Sequence, residues 1–133
     1  MSINTRHILT AVQSALSSDA GLTAVVPAAN IGNHLKDETT FPHILYGLEA
    51  ADAGIKGQTA FNMTLVLDVW SDYRGEAQVW QINDLINAVL DRSPVTIASG
   101  TNTFLKFESI TVDTEGDGRT RHGTITYRLM VTE

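Results

Sequence analysis

One α+β domain, a mainly antiparallel β-sheet with two amphipathic helices packed on it, is implied by three features of this chain. Apolar residues recur every three to four positions in two stretches, one near the N-terminus and one past the midpoint. Other stretches alternate apolar and polar residues, and glycine-bearing loops lie between them. The length of 133 residues suits a single domain spanning 1–133, with no internal repeat or low-complexity tract.

Each element follows from its own pattern. Between Ile3 and Leu16, residues Ile8, Leu9, Val12, Ala15 and Leu16 share one helical face. Asn4 or Thr5 would cap this helix, and Ser17-Ser18-Asp19 followed by Gly21 would end it. A short turn at Leu22 to Val26 stops at Pro27. Residues 28–42 have no period and read as a long connection. His43 to Ala50 reads as a strand, followed by the glycine-bearing loop ADAGIKGQT.

The clearest strand is FNMTLVLDVW. Phe61, Met63, Leu65, Leu67 and Val69 fall on one face, and Asn62, Thr64 and Asp68 on the other. Val66 and Trp70 add apolar area to that second face, and Trp70 reads as a packing residue. After Ser71 the period becomes helical, with Val79, Ile82, Leu85, Ile86, Val89 and Leu90 marking a helix from Glu76 to Arg92. Ser93-Pro94 would end it. Residues 95–97 suggest a short strand, and FLKFESITVD a longer one. There the apolar parity slips from Leu105 and Phe107 to Ile110 and Val112, which calls for a bulge at Glu108-Ser109. In the last strand Ile125, Tyr127, Leu129 and Val131 alternate.

Composition excludes several classes of function. At 43% hydrophobic the chain can bury roughly two-thirds of its unfolded surface. A net charge of −6 argues against coating nucleic acid, which needs clustered Lys and Arg. The absence of cysteine removes disulfides, thiolate metal sites and cysteine nucleophiles. No apolar run approaches the ~18–20 residues of a membrane span, so no membrane partner is expected. The N-terminal stretch also lacks the apolar core of a signal peptide.

The stretch DTEGDGRTRHG, residues 113–123, looks at first like a calcium loop. Asp113, Glu115, Asp117 and Gly118 match its opening, but Thr124 stands where a bidentate Glu is required, and strands flank it. It reads instead as a hairpin turn built on Gly116 and Asp117-Gly118. GIKGQT lacks the Gly-Lys-Ser/Thr order of a phosphate loop. His7, His34, His43 and His122 have no metal-ligand spacing. Glu49, Asp52 and Asp68 could form an acid–base pair, although Asp68 on a polar strand face reads as solvated or ion-paired. No strained nucleophile elbow is present. No catalytic residue, cofactor or metal ligand is expected.

The order of patches carries more information than any one of them. Phe41-Pro42-His43-Ile44 precedes Leu67-Asp68-Val69-Trp70-Ser71, then Tyr73-Arg74-Gly75-Glu76-Ala77 opens a helix. Asp117-Gly118-Arg119-Thr120-Arg121-His122-Gly123 then leads to Tyr127-Arg128. Over nearly the whole chain this resembles the tail-completion proteins of long-tailed bacteriophages, also called tail terminator or head–tail joining proteins. Prophages and gene-transfer particles carry similar proteins.

The resemblance implies a virion structural protein made in the bacterial host cytoplasm, not an enzyme. It implies a homo-oligomeric ring, commonly a hexamer, that caps the tail tube, stops its polymerisation and offers a docking face to the head connector or neck protein. DNA would pass through the bore without specific binding. Interface candidates are the loops Ala50 to Ala60 and Asp113 to Gly123, with Lys56, Gln58, Asp117, Arg119, Arg121 and Arg128. Another tail or neck part, such as a tube subunit or connector adaptor, stays open. So does a small binding domain using the polar loop Asn30 to Thr40.

Overall fold

The computed structural model describes residues 6–33, 40–52, 60–91, 94–96 and 102–132. Its centre is a five-stranded sheet in the order β1-β2-β3-β7-β6. The strands are β1 (Ile31–Gly32), β2 (His43–Asp52), β3 (Ala60–Ser71), β6 (Lys106–Thr114) and β7 (Arg121–Thr132). β1 runs parallel to β2, and the other neighbours are antiparallel. A separate two-stranded sheet pairs β4 (Pro94–Thr96) with β5 (Asn102–Phe104). This is the α+β architecture expected from the periodicities.

Among the described residues three α-helices complete the fold: α1 (Arg6–Ser18), the single-turn α2 (Ala20–Thr23) and α3 (Ala77–Leu90). The inward face of α1 is Ile8, Val12 and Leu16, spaced at four, as its pattern demands. Its expected caps, Asn4 and Thr5, lie outside the described residues. Asp19 ends the run by capping α2 instead, its Oδ2 accepting from Leu22 N–H at 2.8 Å. α3 ends at Leu90, two residues before the expected Arg92, which lies outside the described residues. Asp91, the C-cap, turns its carboxylate to the next strand and accepts from Phe107 N–H at 3.0 Å.

Alternation in β3 sets the core. Met63, Leu65, Leu67 and Val69 are buried under the helices, joined by Ile125, Tyr127 and Leu129 from β7 and Ile44 and Tyr46 from β2. Both helices lie on that face. Tyr46 hydroxyl donates to Gln13 Oε1 of α1 at 2.6 Å, and Tyr127 hydroxyl donates to Asn87 Oδ1 of α3 at 2.9 Å. Burial, then Asp91, raises the Tyr127 phenol well above its usual range. Gly123 permits α3 to sit close, because a Cβ there would fall 2.7 Å from Val79 Cγ1.

Two details differ from the sequence reading. The stretch 28–42 is not a featureless connection: it contains a 3-10 turn at Ala28–Asn30 and β1. A two-residue parallel strand is too short to show a period. FLKFESITVD is also broken, with Leu105 separating β5 from β6. The expected bulge is present, as the β6–β7 register shifts between Phe107 and Ser109.

Candidate assembly surface

The face of the sheet opposite the helices carries side chains that the core does not use. The parity that buries Val69 sends Trp70 to this face, where it pairs across strands with His43 on β2 and His122 on β7. The three rings stack in a row. Trp70 lies 4.5 Å from the His122 ring, nearly parallel at 7°, and 5.1 Å from His43. Phe41 extends the row at 5.2 Å from His43. Burial holds His43 below its ordinary value, opposed by its contact with Thr40 carbonyl.

His122 also ties the hairpin to β3. Its Nε2 is 2.8 Å from Asp68 Oδ1 and its Nδ1 is 3.2 Å from Glu115 Oε1. Each ring nitrogen therefore faces a carboxylate, which leaves none for activating a hydroxyl. Asp68 is hydrogen-bonded to His122 here, on the polar strand face where its position put it. Among the described residues no three His, Asp or Glu side chains converge as a metal site requires.

The opening stretch of the hairpin is a turn. Gly118 N–H donates to Glu115 carbonyl at 2.9 Å, and Glu115 N–H to Thr120 carbonyl at 2.8 Å. Positive φ falls on Gly118 alone, at 72°, not on an Asp-Gly pair. Asp117 instead uses its side chain. Oδ1 accepts from the backbone N–H of Arg119 and Thr120, each at 2.8 Å, and Oδ2 from Thr120 hydroxyl at 2.6 Å. The Thr120 hydroxyl and then these amides hold the Asp117 carboxyl at about 2.

The interface candidates from sequence separate into distinct environments. Lys56 and Gln58, with the GIKGQT stretch, lie outside the described residues. Asp117 braces the turn. Arg119 is exposed on the tip, its Nε donating to Asp72 carbonyl at 3.5 Å. Arg121 is the first residue of β7 and folds back, its guanidinium donating to Thr114 Oγ1 at 2.9 Å. Arg128 lies mid-strand, pairing with Glu108 at 3.3 Å. Arg119 and Arg121 are thus brought to one end of the sheet, and Arg128 is not.

That same end holds features that sequence patterns could not reveal. Asp72, Tyr73, Arg74 and Arg119 line an open cleft of ≈ 780 Å³. Among the described residues, the exposed large apolar side chains are Phe41, Tyr73 and Trp80. Tyr73 and Trp80 flank the start of α3, and Trp80 Nε1–H donates to Glu76 Oε1 at 3.2 Å. Exposed Tyr and Trp beside Arg are the residue types enriched at protein interfaces. Trp80 falls off the buried helical face of Val79, Ile82 and Ile86, so that spacing already leaves it outward, without saying what it serves there.

No curated protein matches the chain by sequence. Among solved structures, one chain from a structure described as the virion of a native gene transfer agent particle superposes with a TM-score of 0.81 at 19% identity, covering 92% of each chain. That likeness establishes the fold. Residues 10–132 match the family model described as tail completion protein gp17, and the chain therefore belongs to this family of phage tail structural proteins.

Proposed function

We propose that this chain closes into a hexameric ring that caps the completed tail tube, ends tube polymerisation and presents the head–tail joining surface. The match to the tail completion family over residues 10–132 is the observation that carries this reading. The chain works without catalysis. The most base-like constellation on its surface, His122 with Asp68 and Glu115, has both ring nitrogens committed to carboxylates. The partners are further copies of the chain, the tail tube protein and the head connector or neck protein.

The sheet end where Tyr73 and Arg119 line one cleft supports this reading, since it offers an exposed aromatic anchor beside exposed positive charge. DNA crosses the bore without specific binding, in keeping with a net charge of −6. Particles lacking the protein test the role directly. Overlong or headless tails are the expected outcome. Complete absence of tails would assign the chain to the tube instead, and normal particles would remove it from tail completion.

A further inference from the structure

Two open edges of the sheet match each other. β6 borders the sheet on one side. On the other side β1 covers only Ile44 and Leu45 of β2, so along this outer edge residues 46–52 have no strand neighbour among the described residues. The pairings β2–β3, β3–β7 and β7–β6 are all antiparallel, so β2 and β6 run in opposite directions. Two copies set edge to edge in the same orientation would therefore bring β6 of one beside β2 of the next as another antiparallel pair.

Two rows across the sheet fix how such edges would meet. The first runs Glu49, Thr64, Arg128, Lys106, and the second Leu48, Leu65, Tyr127, Phe107. The first ends in an acid at one edge and a base at the other. Glu49 and Lys106 are both exposed, and neither has an ion pair among the described residues. The second row ends in Leu48 and Phe107, both half-buried against the core at their inner sides. With the rows aligned across the junction, Lys106 faces Glu49 and Phe107 faces Leu48. Opposite charges and paired apolar side chains directly across strands both favour pairing.

Each edge is also guarded in the free chain. Asp91 accepts from Phe107 N–H on β6, and Asn33 Nδ2 donates to Tyr46 carbonyl on β2. Such guards limit indiscriminate strand addition, a hazard of open edges. We propose that copies of this chain join by strand addition between residues 106–109 of β6 of one and residues 46–49 of β2 of the next, with Lys106 against Glu49 and Phe107 against Leu48. The occupant of each edge is a second copy. The contact uses two different surfaces, so repetition gives a ring where the rotation closes. This inference rests on the ring reading above and names the surfaces that make it.

The absence of cysteine makes the contact easy to trap. Within one chain, positions 49 and 106 are three strand spacings apart, roughly 14 Å, beyond the roughly 4.4–6.8 Å that a disulfide bridges. The full chain carrying Glu49→Cys and Lys106→Cys should, on mild oxidation, give a ladder of linked copies that ends at a closed species. Each single variant should give no ladder. Light scattering of the unmodified chain, run in parallel, separates the two ideas. A closed oligomer with no ladder from the double variant overturns the edge contact and leaves the ring intact. A ladder that never closes keeps the edge contact and overturns the ring. Charge reversal gives a second readout: Lys106→Glu or Glu49→Lys alone should weaken self-association about tenfold, and the two in one chain should recover it. Failure of the double reversal to recover would count against the pairing of these two side chains.

Discussion

Gly123 shows how much one side chain can depend on another. Its Cα side faces Val79, which is fully buried, and a Cβ would come within 2.7 Å of Val79 Cγ1. A branched side chain packed in the core cannot swing aside, so α3 would have to lift from the sheet. Gly123→Ala should destabilise the fold by about 1–3 kcal/mol, measured by urea unfolding; an unchanged midpoint would show that α3 tolerates the shift. The hairpin tip separates two arginines that look alike in sequence. Arg119→Ala should leave the melting temperature unchanged while weakening assembly, because its side chain is exposed. Arg121→Ala should lower it, because its guanidinium holds Thr114 and the turn. The Asp117 carboxyl is held at about 2, below its ordinary value of 3.8. A lowered folded value means that the ionised form favours the turn, so this contribution is present above pH 3.8 and lost as pH falls through about 2. Carboxyl-detected NMR titration should place its midpoint there; a midpoint near 4 would mean that the turn bonds are not formed in solution. Asp-Gly marked the turn in the sequence, but which oxygen braces which amide depends on the loop's three-dimensional path.

At the scale of the element, β3 is the strand that the rest of the molecule is built around. Leu67 is fully buried between Tyr46 of β2 and Ile125 of β7 in the register. Leu67→Ala should cost about 2–5 kcal/mol in equilibrium unfolding, and a loss below about 1 kcal/mol would mean that the core refills the space. Clean alternation in Met63, Leu65, Leu67 and Val69 made this strand legible, because one face is buried and the other is not. The slip in parity after Phe107 exposed the bulge for the same reason. The N-terminal helix was legible from Ile8, Val12 and Leu16. β1 was not, since Ile31-Gly32 becomes a strand only where β2 supplies its partners. The end of α3 was placed two residues late because Asp91 is drawn off the helix by a bond to Phe107, sixteen residues away.

For the whole molecule, the sheet has one face under the helices and one that no described helix covers, and its two long edges differ. That asymmetry suits the ring subunit proposed above. Charge is its second global property. With 15 acidic and 9 basic residues, the assembled protein should not retain duplex DNA in a filter-binding assay at physiological salt. Tight, salt-sensitive binding would instead mean that the arginines Arg74, Arg119 and Arg121 gather on a DNA-facing surface.

Periodicity and composition determined, without any coordinates, the α+β architecture, the helices α1 and α3, the central strand, the bulge and the hairpin, because burial leaves a local imprint at spacings of two and 3.6. The order of short patches also pointed to the tail completion family. Only the tertiary structure decided which side chains meet: Trp70 between two histidines, Glu49 and Lys106 at opposite ends of one row, Tyr73 exposed beside Arg119. The ring stack and the Glu49–Lys106 row come from strand order and register, which bring together residues dozens of positions apart, and no local spacing records them.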